Sequence, residues 1–253
     1  MIADALPMIS PVTGLLIALV CIAAAIVGAM SGFGSGLIIS AAAAPILGVM
    51  AVVPVISVAM IINNAARIWV YRDQLDYRTA LIILASAIPA SVLGAFVYVH
   101  LDPRVVAGVF GVMLLASVPF NRTLRKRAWS AGPATLGLGG AAFGFLSSNA
   151  LGAGLLIIPM LMGAGLVGSA IIATDAAIAL GTSLFRVAAF SALDALTWPL
   201  ALIGGLMGLC TIPGAWMAAW IVQRTDVRLH TALIEAFVVL AGFGFLWRAW
   251  SPD

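Results

Sequence analysis

Two arginines stand inside long apolar stretches, each with polar side chains one helical turn before it. Asn63 and Asn64 lie four and three residues before Arg67, and Thr182 and Ser183 lie four and three before Arg186. On a helix these separations put each trio on one face. Each face offers one fixed positive charge and two hydrogen-bonding groups, and a guanidinium fork suits a tetrahedral or pyramidal oxyanion. Arg67 has a second reading, because Tyr71 and Arg72 mark a nearby interface to which its side chain could snorkel. Arg186 is harder to dismiss. Asp175 precedes it by 11 residues, about three turns, and so lies on a similar face.

The acidic residues set deepest in apolar sequence are Asp175 and Glu235. A charge in the bilayer core costs at least about 2.5 kcal/mol, so such a group is a functional candidate by default. Proton coupling is the role expected of Glu235 and, with it, of Asp175. A structural salt bridge competes for Glu235, and a helix-start or interface position for Asp175.

A third set of candidates is backbone. Gly34-Ser35-Gly36-Leu37-Ile38-Ile39 returns 118 residues later as Gly152-Ala153-Gly154-Leu155-Leu156-Ile157. A helix that starts inside a membrane leaves unpaired N–H groups with about half a positive charge, a ready anion site. Gly34, Gly36, Gly152 and Gly154 would let a ligand approach without a Cβ in the way. Ser31, Ser35, Ser147, Ser148 and Asn149 stand close by in sequence as further polar groups. The competing account is helix packing, which explains many membrane glycines.

The elements that must position these groups are apolar helices. The chain of 253 residues is 64% hydrophobic and 8% charged, against roughly 25% charged residues in a soluble domain. Its mean hydropathy is +1.19. Ala5 to Ala66 and Ala128 to Thr174 contain no Asp, Glu, Lys, Arg or His. A crossing needs about 20 helical residues, and unalternating runs of this kind reject a β-barrel. The expected fold is all-α: a polytopic helical membrane protein of two pseudo-symmetric repeats with broken or re-entrant glycine-rich helices. Segments are expected near 11–31, 36–48, 49–71, 79–100, 103–120, 133–150, 151–167, 168–193, 197–222 and 229–249. That divides the chain into a first repeat at 1–120, a basic cytoplasmic linker at 121–132 and a second repeat at 133–253. Short glycine-interrupted segments at matching places in two halves are the sequence pointer to a transporter's binding site.

Charge does not decide the topology. Most of the net +3 lies in Arg122, Arg125, Lys126 and Arg127, as in a cytoplasmic loop. Ten spans with inverted halves and eight spans with parallel halves both leave nine basic residues inside and three outside, so eight to ten membrane segments stay open. Met1-Ile2-Ala3-Asp4 lacks the basic start of a signal peptide, and the first apolar segment is expected to be retained. Cys21 and Cys210 read as small packing residues. His100 and His230 read as interfacial polar residues, and Trp69, Trp198, Trp216, Trp220, Trp247 and Trp250 as interface anchors.

With these residues in view the chain resembles the sulfite exporter TauE/SafE family. The resemblance rests on Gly32-Phe33-Gly34-Ser35-Gly36-Leu37-Ile38-Ile39 and on Gly152-Ala153-Gly154-Leu155-Leu156-Ile157-Ile158-Pro159. It rests also on Tyr71-Arg72-Asp73-Gln74-Leu75-Asp76-Tyr77, followed by Pro89 and Gly94-Ala95. It runs from about Gly28 to Trp247. Ser40-Ala41 departs from the pattern, where a proline would follow the first glycine run. The resemblance implies export of sulfite, thiosulfate or small organosulfonates across the cytoplasmic membrane.

The residues agree with a secondary transporter of small anions, driven by protons or the membrane potential. No P-loop is present, and neither a nucleophile–base pair nor a His/Glu cluster with metal spacing supports an enzyme. An intramembrane enzyme and a non-transporting membrane subunit remain the alternatives. No cofactor, metal or nucleic acid is expected. The expected partners are a small anion and the bilayer, and a homodimer is compatible with the sequence.

Overall fold

The computed structural model describes residues 11–31, 35–126, 130–149, 154–222, 239–240, 242–247 and 249–250. The described chain folds as α1 (Pro11–Ser31), α2 (Ser35–Leu47), α3 (Val49–Tyr71), α4 (Tyr77–Val99), α5 (Pro103–Lys126), α6 (Pro133–Asn149), α7 (Gly154–Gly163), α8 (Ser169–Ala192) and α9 (Trp198–Val222). A 3-10 turn at Arg72–Gln74 follows α3, and 242–247 is helical. Prolines open α1, α5 and α6, at the one helical position that lacks nothing without an N–H. The start of α4 is capped by Asp76, whose Oδ1 accepts from the backbone N–H groups of Arg78 and Thr79 at 3.0 and 3.3 Å. Asp102 caps α5 in the same way through Arg104 N–H at 2.8 Å.

Among the described residues four helices are long and apolar enough to cross a membrane: Val49–Gln74, Tyr77–Val99, Ser169–Ala192 and Trp198–Met217. With the shorter apolar helices around them they make the chain a polytopic helical membrane protein. The 13 residues of α2 and 10 residues of α7 rise only about 20 and 15 Å, too little to cross a hydrocarbon core of about 30 Å unaided. Helix α5 continues through Asn121–Lys126, so the segment expected as a linker begins as helix.

Packing places α4 against α6 and α8, and α9 against α1 and α3. Exchanging α1–α4 with α6–α9 carries these pairs into one another. The contacts are close because side chains are missing where they form. A Cβ on Gly144 of α6 would collide with the Ala87 carbonyl of α4, and one on Gly204 of α9 would stand 2.5 Å from the Val55 carbonyl of α3. At the centre α3 and α8 lie side by side and run in opposite directions. Ser57 of α3 meets Arg186, and Arg67, ten residues further along α3, meets Asp175, eleven residues back along α8.

The buried apolar residues form two clusters. One surrounds Ile39 of α2 with Val52, Val55, Tyr98, Phe110 and Phe190. The other surrounds Ile157 and Leu161 of α7 with Ile83, Ala87, Phe143 and Ile178. Each short helix is thus held in its own apolar nest. The Tyr98 hydroxyl, fully buried, donates to the Val49 carbonyl at 3.0 Å and so carries no unsatisfied donor into the core. Outward faces carry Leu81, Leu93 and Phe96 on α4 and Leu202, Leu206 and Leu209 on α9, as lipid contact requires.

Candidate functional site

Both arginines point inward. Arg67 and Arg186 are only 4% and 7% exposed, which removes the snorkelling account of Arg67. A buried guanidinium needs hydrogen-bond acceptors, and α3, α8 and the end of α6 supply them.

Arg67 Nη1 donates to Asn64 Oδ1 at 3.1 Å, one turn back on its own helix. Its Nη2 donates to Asp175 Oδ2 at 3.0 Å and to the Ile172 carbonyl at 3.4 Å. The ion pair is buried, with side chains 4% and 6% exposed. Its neighbourhood is fixed by a further bond from Asp76 N–H to Thr174 Oγ1 at 3.1 Å. Asp76 lies outside the spanning helices, and the Thr79 hydroxyl bonded to its Oδ2 at 2.7 Å holds its carboxyl below the usual range, aided by the Thr79 and Arg78 N–H groups and opposed by burial.

Arg186 repeats this arrangement at the other end of the seam. Its Nη2 donates to Ser183 Oγ at 3.2 Å, one turn back on its own helix. Its Nη1 donates to the Ser147 carbonyl at 2.6 Å and its Nε to Ser57 Oγ at 2.8 Å. The Ser57 hydroxyl spends its proton on the Val53 carbonyl at 2.6 Å, so a lone pair faces the guanidinium. Every one of these acceptors is neutral. Arg67–Asp175 and the exposed Arg72–Asp73 are ion pairs, whereas Arg186 has no carboxylate on it among the described residues. A guanidinium carries five N–H donors; these three bonds leave one N–H on each terminal nitrogen without a partner among the described residues.

Arg186 is thus a buried cation whose partners among the described residues are all neutral. The profile of the family described as sulfite exporter TauE/SafE matches residues 17–245, nearly the whole chain. The chain belongs to the sulfite exporter TauE/SafE family. No curated protein and no solved structure matches it.

The other candidates in this TauE/SafE chain fall into different positions. Asn63 turns from Arg67 and donates to Ser35 Oγ at the start of α2, at 3.2 Å. Thr182 turns its hydroxyl back to the Ile178 carbonyl at 2.9 Å. Of each trio, then, only the residue at i−3 touches the arginine. Asn149 donates to the Phe145 carbonyl at 2.8 Å and leaves its buried Oδ1 with no partner among the described residues; as placed it presents an acceptor. Gly36 has Met60 Sδ 3.3 Å from where its Cβ would stand, so the bare backbone serves contact with α3. Gly154 opens α7. Gly34, Gly152, Glu235 and His230 lie outside the described residues. His100 is exposed, with Nδ1 2.8 Å from the Phe96 carbonyl, while Cys21 and Cys210 are free thiols on α1 and α9.

Two contributors escaped the sequence reading. Ser57 and the Ser147 carbonyl both bind Arg186, yet a lone serine and a backbone oxygen carry no motif. One signal was available: Ser57 lies ten residues before Arg67, much as Asp175 lies eleven before Arg186.

Proposed function

We propose that this TauE/SafE family member is a secondary transporter that exports small sulfur-containing anions, sulfite, thiosulfate or organosulfonates, across the cytoplasmic membrane, and that Arg186 binds the anion. The observation that carries the reading is the buried Arg186 with neutral acceptors at 2.8, 2.6 and 3.2 Å and no carboxylate on it among the described residues. An unneutralised charge in an apolar protein is costly, and an oxyanion bound to its remaining N–H groups would offset that cost.

The repeats belong to the same reading. Corresponding helices α3 and α8 run antiparallel, which favours inverted halves over parallel ones. Inverted halves put the seam near the midplane, where alternating access works about a fixed site. The basic run Arg122 to Arg127 then faces the cytoplasm. Transport is driven by protons or the membrane potential, with Glu235 carrying the proton. Asp175 can share that role only when it leaves Arg67.

The test is reconstitution. Liposomes holding the wild-type protein should move labelled sulfite or methanesulfonate, and those holding Arg186→Gln should not. Equal flux through both would remove Arg186 from the site.

A further inference from the structure

Laid side by side, the two arginines share two kinds of partner and meet different groups across the seam. Each donates to a polar side chain three residues back, Asn64 or Ser183, and each donates to a backbone carbonyl, Ile172 or Ser147. Each also reaches across the seam to the position ten or eleven residues before its counterpart. There Arg67 meets the carboxylate of Asp175 at 3.0 Å and Arg186 meets the hydroxyl of Ser57 at 2.8 Å. We infer that Arg67 is a second anion station, which the chain fills with its own Asp175 carboxylate, so that one exogenous oxyanion binds per chain, at Arg186.

This inference rests on the exporter reading above and adds a stoichiometry to it. A carboxylate fixed within 3.0 Å is an anion at very high effective concentration, which a dilute sulfonate cannot displace. A serine hydroxyl at the same place satisfies one N–H and leaves the charge available. The Arg67 and Arg186 ends stand about 15 Å apart, ten residues of α3 at 1.5 Å each, enough for two small anions to bind without contact. The identity of the residue across the seam therefore decides whether an arginine here is a station or a closed pair.

The experiment counts methanesulfonate bound to purified protein by equilibrium dialysis with labelled ligand. Wild type should bind one per chain. Asp175→Ser, which gives Arg67 the partner that Arg186 has, should bind two, and Asp175→Ser combined with Arg67→Gln should return to one. The converse variant, Ser57→Asp, gives Arg186 its own carboxylate and should lose binding at least tenfold; it decides the matter if Asp175→Ser does not fold. One anion bound by folded Asp175→Ser, or undiminished binding by Ser57→Asp, overturns the inference while leaving the exporter reading in place. Absence of binding to the wild type would overturn both.

Discussion

Arg67 and Arg186 are both buried and similarly built, yet one end of the α3–α8 seam pairs its charge with a carboxylate and the other, among the described residues, does not. At the Arg67 end a carboxylate 3.0 Å away makes an ion pair whose desolvation is largely repaid by its own attraction. At the Arg186 end hydroxyl and carbonyl oxygens orient the guanidinium without neutralising it. Burial and hydrogen bonding alone therefore do not mark a binding site in a membrane protein. The charge left over is what the proposed anion site rests on.

The comparison breaks first on stability. Arg67→Gln strands the Asp175 carboxylate in the seam and should cost about 3–5 kcal/mol, seen as a large loss of folded yield and of thermal midpoint in detergent. Arg186→Gln strands no charge among the described residues, so without anion its midpoint should stay near that of wild type. Equal losses in the two variants would show that both arginines are structural.

Proton coupling comes next. Glu235→Gln should leave anion exchange measurable in liposomes while abolishing the response of net flux to an imposed pH gradient. A surviving pH response with lowered folded yield would make Glu235 a structural residue.

Smaller changes sharpen the Arg186 end. Ser57→Ala removes the Nε acceptor and, with a hydrogen bond to a charged group worth about 1.5–3 kcal/mol, should weaken methanesulfonate binding roughly tenfold or more. Gly36→Val would press on Met60 and should slow transport more than Ala85→Val on the exposed face of α4. Equal rates would leave the α2 tip without a part in transport.

The smallest effect belongs to the cap at the Arg67 corner. Asp76→Asn keeps a capping oxygen but loses its charge, and should cost at most about 1 kcal/mol. Because the folded carboxyl titrates below its ordinary value, the wild-type contribution is present above the unfolded carboxylate range. It fades as pH falls through the lowered value. The stability gap between wild type and Asp76→Asn should close in acid, and a gap that persists there would assign the effect to geometry.

Much of the fold was legible because hydropathy and proline or glycine punctuation act locally. Pro11, Pro103, Pro133 and Gly48 mark helix boundaries within a residue or two of the expected segments. The basic linker was read as a loop because Arg122, Arg125 and Lys126 are polar, but α5 continues beneath them, as helices do where lysine and arginine carry high helix propensity. At the site, the i−3 partners Asn64 and Ser183 followed from helical spacing. The choice of Asp175 for Arg67 rather than Arg186 did not, since it depends on the antiparallel register of α3 and α8, a long-range fact. Asn63 and Thr182 have the spacing of partners, but Asn63 donates to Ser35 Oγ and Thr182 to the Ile178 carbonyl, and neither oxygen accepts from its arginine.

The most direct measurement is anion binding to Arg186→Gln and Arg186→Lys, with folding checked by thermal midpoint and labelled methanesulfonate as ligand. The account predicts that binding is lost in the glutamine variant and only partly restored by lysine, whose point charge lacks the bidentate fork. Wild-type affinity in a folded Arg186→Gln protein would contradict it.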